Sequence, residues 1–324
     1  MKKLIYFLAV LAVALCALGT GESAAQGFPS KPIRLVVPFP PGGPTDAFAR
    51  LLANRLQDTW KQPVIVESKP GAGTVVGTDF VAKAAPDGHT LGMVTMAHVI
   101  NPSLRKTMPY DTLKDIVNVT QLSLLHLLVA AHPSLEANTP AELIALARKR
   151  PGKITYGTAG AGTSSHLGAE LLNAMAGVQF VHVPYKGSAP AQNDLLGGRI
   201  DFIVDPIQPA LTQYAKAGKI KNIGLMGAAR TPLAPEIPVF AEVVPGFDAV
   251  GMFGLVTTGG TPRDVVQRIY ADVAAAIRTP ELNERMLQFG MDPVASTPEA
   301  FDAFVRKEMS KWAPVVRATG ATAD

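Results

Sequence analysis

The chain has 324 residues, with 30 Lys and Arg against 26 Asp and Glu and only one cysteine. A net charge of +4 over that length is too weak and too dispersed for a nucleic-acid footprint, and one thiol excludes disulfide staples and thiolate metal sites. The length allows a large core, as one big domain or two medium ones.

The first residues have the layout of a secretory signal. Met1-Lys2-Lys3 is a short positive end, residues 4–18 are apolar throughout, and Ser23, Ala24 and Ala25 precede Gln26. The apolar run, about 15 residues, is shorter than the roughly 20 that span a bilayer. Leu15 stands before Cys16, where a lipoprotein would carry a small residue. The expectation is export to the periplasm with cleavage near Ala25. The mature chain would then hold no thiol and a net charge of +3, from 28 Lys and Arg against 25 Asp and Glu.

Beyond the signal, apolar runs predict strands over 33–39, 64–67, 91–96, 154–156, 180–184, 200–205, 220–226 and 251–257. Several are apolar on consecutive residues, as strands covered on both faces should be. Helical patterns lie between them. Thr139-Pro140, Thr261-Pro262 and Thr297-Pro298 each predict a hydroxyl cap followed by proline at the first helical position. In the last helix Phe301, Phe304, Val305 and Trp312 form a buried stripe. The alternation predicts an α/β fold with mostly parallel sheets.

One unit occurs twice. The strand at 33–39 runs into Pro40-Pro41-Gly42-Gly43-Pro44, and Thr45-Asp46 opens a helix with Phe48, Leu52 and Leu56 inward. The strand at 154–156 runs into Gly157-Thr158-Ala159-Gly160-Ala161-Gly162, and Thr163-Ser164-Ser165 opens a helix with Leu167, Leu171 and Met175 on one face. Repetition of this crossover predicts two lobes, each presenting one loop poor in side chains.

A helix N-terminus exposes unpaired N–H groups and partial positive charge, and glycines let a ligand approach the backbone. Two such termini facing one cleft hold a carboxylate without arginine. Each dipole contributes about 0.3–1 kcal/mol when exposed, whereas micromolar affinity needs about 8 kcal/mol. Burial and several hydrogen bonds must therefore supply most of the binding. Candidate contacts are Phe39, Pro40, Gly42, Gly43, Thr45 and Asp46 in the first loop, and Thr158, Gly162, Thr163, Ser164 and Ser165 in the second. Asp205 ends an apolar strand before Pro206, where α/β ligand sites collect, and His98 follows another strand; both join the candidates. Asp46 is equally suited to capping its helix. His126, His132, His166 and His182 lack metal-ligand spacing and are assigned to surface or core. Neither loop ends in Gly-Lys-Ser/Thr, so a P-loop is a poor match. No Gly-x-Ser-x-Gly elbow, nucleophile–base pair or metal cluster argues for an enzyme, and no cofactor is expected.

These residues resemble the Bug-type, or TctC-like, extracytoplasmic receptors of tripartite tricarboxylate transporters. The likeness runs through Phe28-Pro29, Lys31-Pro32-Ile33, Val37-Pro38-Phe39, Pro41-Gly42-Gly43 with Asp46, and Glu67 with Lys69-Pro70-Gly71-Ala72-Gly73. It continues through Pro86-Asp87-Gly88, Asn101-Pro102, Pro109-Tyr110-Asp111, Gly162-Thr163-Ser164, His182-Val183-Pro184-Tyr185-Lys186-Gly187 and Gly197-Gly198 with Asp201. The resemblance implies a type II-like periplasmic-binding-protein fold, two α/β lobes joined by two crossing strands. Domain 1 would comprise 26–124 and 251–324, and domain 2 would comprise 125–250, after a signal over 1–25. It implies a non-enzymatic, monomeric receptor that closes on a dicarboxylate, acidic amino acid or aromatic acid, mainly through residues 39–46 and 158–165. The closed form would be presented to membrane permease subunits, or alternatively to a membrane sensor kinase.

Overall fold

A computed structural model describes residues 27–319; the predicted signal lies outside the described residues. The first lobe begins β1 (Ile33–Val37), α1 (Pro44–Trp60), β2 (Val64–Ser68), α2 (Val75–Ala82), β3 (Thr90–Val94), α3 (Ala97–Leu104) and β4 (Ile116–Leu125). The second holds β5 (Leu127–Ala131), α4 (Pro140–Lys149), β6 (Ile154–Thr158), α5 (Ser164–Ala176) and β7 (Phe180–Pro184). It continues with α6 (Ser188–Leu196), β8 (Phe202–Pro206), α7 (Pro209–Lys216) and β9 (Lys221–Leu225). The chain then returns through β10 (Gly251–Thr258), α8 (Arg263–Ile277), α9 (Pro280–Gln288), β11 (Met291–Pro293) and α10 (Pro298–Thr319).

The strands form two separate sheets, ordered β11-β4-β10-β3-β1-β2 and β7-β6-β8-β5-β9. β1 pairs in parallel with β2 and β3, and β6 with β7 and β8. β4, β5 and β10 run antiparallel to their neighbours. Side chains alternate between layers, as the two-residue strand period requires. On β1, Ile33, Leu35 and Val37 face α1, α8 and α9, while Val36 faces the opposite layer. On β5, Leu127, Val129 and Ala131 share a layer with Tyr156 and Leu167, while Leu128 and Ala130 face Leu195 and Leu211. Phe48, Leu52 and Leu56 are fully buried from α1, each contributing roughly 1.5–3 kcal/mol.

Two crossings join the sheets side by side. His126 alone separates β4 from β5. The return path closes beside it: Met226 N–H donates to Leu127 O (2.9 Å), Ala249 N–H donates to Met226 O (2.7 Å), and Gly251 lies opposite Leu125. α10 packs on α3, β4 and α5, so it touches both lobes.

Local expectations held unevenly. Thr139 Oγ1 accepts from Glu142 N–H at 3.2 Å, and Thr297 Oγ1 from Ala300 N–H at 3.2 Å, as capping predicts. Thr261 does not cap: its hydroxyl donates to Thr258 O at 2.8 Å, and α8 starts at Arg263 after Pro262. Met175 is 41% exposed rather than inward, because Leu172 and Ala176 occupy the buried side of α5. β4, β5 and β11 arise where no strand was predicted.

Candidate ligand-binding site

Strand direction places both glycine loops. In the first sheet the C-terminal ends of β1 and β3 lie at the end where β4 finishes and β10 starts, because Val94 opposes Gly254 and Leu125 opposes Gly251. In the second, Leu127 opposes Pro206 and β6 runs parallel to β8, so β6 also ends beside the crossings. The loops after β1 and β6 therefore leave the two sheet ends that meet at the crossings, the position where open α/β sheets collect ligands.

In the first loop, Asp46 is 4% exposed. Its Oδ2 accepts from Gly42 N–H at 3.0 Å and from Arg50 Nε at 3.0 Å. The Arg50 hydrogen bond, then that of Gly42, holds the carboxyl below its ordinary range despite burial. Asp46 thus stays ionised and folds the loop back on its own helix. Its Oδ1 is buried without a hydrogen-bond partner. Gly43 stands at the N-cap with no side-chain cap, and no described residue accepts from the N–H groups of Thr45 and Asp46. Thr45 is buried, Phe39 packs against the core of α1, and Pro40 is exposed.

In the second loop, Thr158 is 1% exposed. Its Oγ1 accepts from Gly160 N–H at 3.2 Å and lies 2.7 Å from His182 Nε2. Thr163 caps α5 by accepting from His166 N–H at 3.3 Å, and its hydroxyl donates to Gly160 O at 2.8 Å. Gly162 N–H donates to His166 Nδ1 at 3.2 Å. Gly162 has φ +76°, which favours glycine at the turn, and a Cβ there would lie 3.2 Å from Leu104 Cδ2 at the end of α3, so the loop comes close to the other lobe. Ser164 Oγ lies 3.2 Å from where a Cβ would stand on Gly251. The N–H groups of Ser164 and Ser165 have no acceptor among the described residues. Each loop thus offers free amides at a helix start.

Asp205 and His98 stand at the same sheet ends but are enclosed. Asp205 is 2% exposed; Oδ1 accepts from Ser188 Oγ at 2.7 Å, and Oδ2 from Gln192 Nε2 at 2.9 Å and Gln208 Nε2 at 2.6 Å. Burial pushes its carboxyl up to about 6 against the pull of these three donors. His98 is 1% exposed in α3 with neither ring nitrogen in a well-aligned hydrogen bond, and burial, opposed by the nearby Asn118 side chain, pushes it down to about 4. Its ring is therefore neutral at physiological pH. Ser188, Gln192 and Gln208 were not singled out in the sequence; only Gln208, three residues past Asp205, offered a local signal. An open groove of about 790 Å³ elsewhere on the first lobe is lined by Lys31, Arg34, Lys69 and Lys83. Its cations are already paired, Lys31 with Asp87, Arg34 and Lys69 with Glu67, and Lys83 with Asp79, so it makes a poor anion site.

Two three-layered lobes joined by paired crossings, with amide-bearing loops at the sheet ends beside them, define a bilobal solute-binding protein. Comparison with known proteins narrows the class. Residues 48–321 match the family model described as "Tripartite tricarboxylate transporter family receptor". Protein BugT of Bordetella pertussis is 34% identical over 318 residues, 97% of each chain. R. palustris Rpa4515, solved with adipate, is 32% identical and superposes with a TM-score of 0.83, covering 91% of this chain and 99% of its own. MatC (Rpa3494) of Rhodopseudomonas palustris, solved with bound malate, is 31% identical with a TM-score of 0.79 over 89% of this chain and 100% of its own. The chain belongs to the tripartite tricarboxylate transporter receptor family, the Bug or TctC-like solute-binding proteins. Members are receptors and not enzymes, in line with the sequence reading. Among the described residues no helix is long and apolar enough to cross a membrane.

Proposed function

We propose that this protein captures a small carboxylate between its lobes in the periplasm and delivers it to the permease of a tripartite tricarboxylate transporter. The ligand is a dicarboxylate, an acidic amino acid or an aromatic acid. The lobes divide as 26–124 with 251–324 and 125–250. Contacts come from Phe39, Pro40, Gly42, Gly43, Thr45 and Asp46 on one side and from Thr158, Gly162, Thr163, Ser164 and Ser165 on the other, with His98 and Asp205 behind them. One observation carries the reading: two helix starts with unpaired amides sit at the sheet ends that meet at the hinge. The adipate and malate held by two similar receptors support the ligand class. Closure about His126 excludes water and strengthens each hydrogen bond to the carboxylate.

Titration calorimetry of the ligand-free protein against adipate, malate, aspartate and benzoate is expected to give micromolar or tighter binding of at least one, with the ligand recovered unchanged. Absence of binding by all four, or catalytic consumption of any, refutes the proposal. Asp46→Ala releases Gly42 N–H and Arg50 together, so the first loop loses its fold-back contact. Affinity for the bound acid should fall roughly tenfold while the far-ultraviolet circular dichroism stays unchanged; equal affinity removes Asp46 from the site.

A further inference from the structure

Three rings stack beneath the second loop. Tyr156 and His182 lie 4.9 Å apart with an interplanar angle of 25°, and His182 and His166 lie 4.1 Å apart at 21°. Tyr156 stacks in turn on Phe202, and Phe180 meets Phe202 edge-on. Each imidazole grips one end of the loop. His182 Nε2 lies 2.7 Å from Thr158 Oγ1 where β6 ends, and His166 Nδ1 accepts from Gly162 N–H where α5 begins. That acceptance fixes the His166 tautomer, with the lone pair on Nδ1 and the proton on Nε2. Thr158 Oγ1, His166 Nδ1 and Thr163 Oγ1 take up the amides of Gly160, Gly162 and His166 in turn, which leaves those of Ser164 and Ser165 free.

We infer that His166 and His182 are positioning residues: as a neutral stacked pair they hold residues 158–165 in the ligand-receiving form, and protonation of His166 releases the loop and its ligand. The inference rests on the reading of this loop as half of the carboxylate site. A protonated His166 would point a second N–H at Gly162 N–H, so the contact would turn from attractive to repulsive. The facing groups pull in different directions. Glu170, one turn along α5, favours the charged form of His166, but burial outweighs it; burial and then His166 push His182 down to about 3. Glu170 itself accepts from Tyr156 OH at 2.6 Å and from Asn173 Nδ2 at 3.3 Å. Phe180 and Phe202 bring no charge from β7 and β8. Both histidines sit below the ordinary value of 6.5. The latch is therefore whole above about 6.5 and weakens as pH falls from there toward the lowered values.

Amide hydrogen exchange of Gly162, read by NMR in the ligand-free protein and corrected for intrinsic rates, tests the latch without any ligand. His166→Ala should speed Gly162 exchange roughly tenfold at pH 7. His166→Asn, whose side-chain carbonyl is a non-titrating acceptor, should restore protection and abolish the extra exchange that wild type gains between pH 7 and pH 4.5. Adipate and malate serve as binding probes: affinity should drop about tenfold in His166→Ala and recover in His166→Asn. Unchanged Gly162 exchange in His166→Ala, or a pH response that persists in His166→Asn, overturns the latch. Altered exchange with unaltered affinity overturns its role in ligand binding. Wild-type protein that binds no carboxylate while Gly162 behaves as expected defeats the receptor reading and leaves the latch standing.

Discussion

Gly290→Ala should destabilise the folded protein by about 3 kcal/mol or more, measured as a fall in the urea midpoint with an unchanged slope. Gly290 precedes β11 with φ +70°, a conformation that costs an L-residue roughly 1–2 kcal/mol. The larger part comes from space. A Cβ at this position would overlap the carbonyl oxygen of Ile207 and lie 2.9 Å from its carbon and 3.0 Å from its Cβ. These are backbone and branched-chain atoms that no rotamer change can remove. Ile207 follows β8 in the second sheet, and its N–H donates to His126 O at 3.0 Å. His126 Nε2 in turn lies 2.6 Å from Asp292 Oδ2 on β11. The added methyl therefore pushes directly on the crossing that links the sheets. Gly218→Ala is the matched control, since Gly218 has φ +67° but nothing within 4 Å of its missing Cβ; it should show only the dihedral cost. Equal losses for the two variants would mean that the approach of Gly290 to Ile207 has no energetic weight.

This hinge was the least legible part of the chain, and the reason is its distant partners. β4 carries Asn118, Thr120, Gln121 and Ser123, all buried, where an apolar pattern would announce a strand. For three of them the partners come from far along the sequence: Thr120 Oγ1 donates to Ser296 O at 2.7 Å, Gln121 N–H to Ser296 Oγ at 3.0 Å, and Asn118 Nδ2 to Asp302 Oδ1 at 3.2 Å. Local reading has no access to such compensation. The two loop units were legible because everything that makes them is consecutive: an apolar strand, glycines, and a helix whose inward residues repeat every turn. The histidine column shows the same limit. His166 and His182 meet only because β7 lies beside β6 and α5 packs on β7 and β8, so their spacing in the chain gave no sign of a pair, and they were assigned to surface or core. Asp205 was singled out by its place at a strand end, yet the donors that surround it were not, since Ser188 and Gln192 belong to α6.

That enclosed carboxylate leads to the other large effect, Asp205→Ala. At pH 7 the substitution should cost about 3 kcal/mol, because Ser188, Gln192 and Gln208 lose the acceptor they share and the buried Gln192 is left facing a gap. The pH dependence separates this from an ordinary cavity. Burial raises Asp205 to about 6 from 3.8, so between those values the folded protein holds a proton that the unfolded chain has lost. Its contribution to stability is then greatest below about 4 and declines as pH rises to about 6. His166 and His182, lowered by burial, act in the opposite sense, and stability falls as they are forced to charge in acid. Asp205 thus offsets part of the acid loss caused by the histidines under the neighbouring loop. Removing it should widen the gap between wild type and variant by about 2 kcal/mol on going from pH 7 to pH 4.5, as chemical denaturation at the two pH values would show. A gap that stays constant would mean that Asp205 is ionised throughout, and that its three donors outweigh the cost of burying its charge.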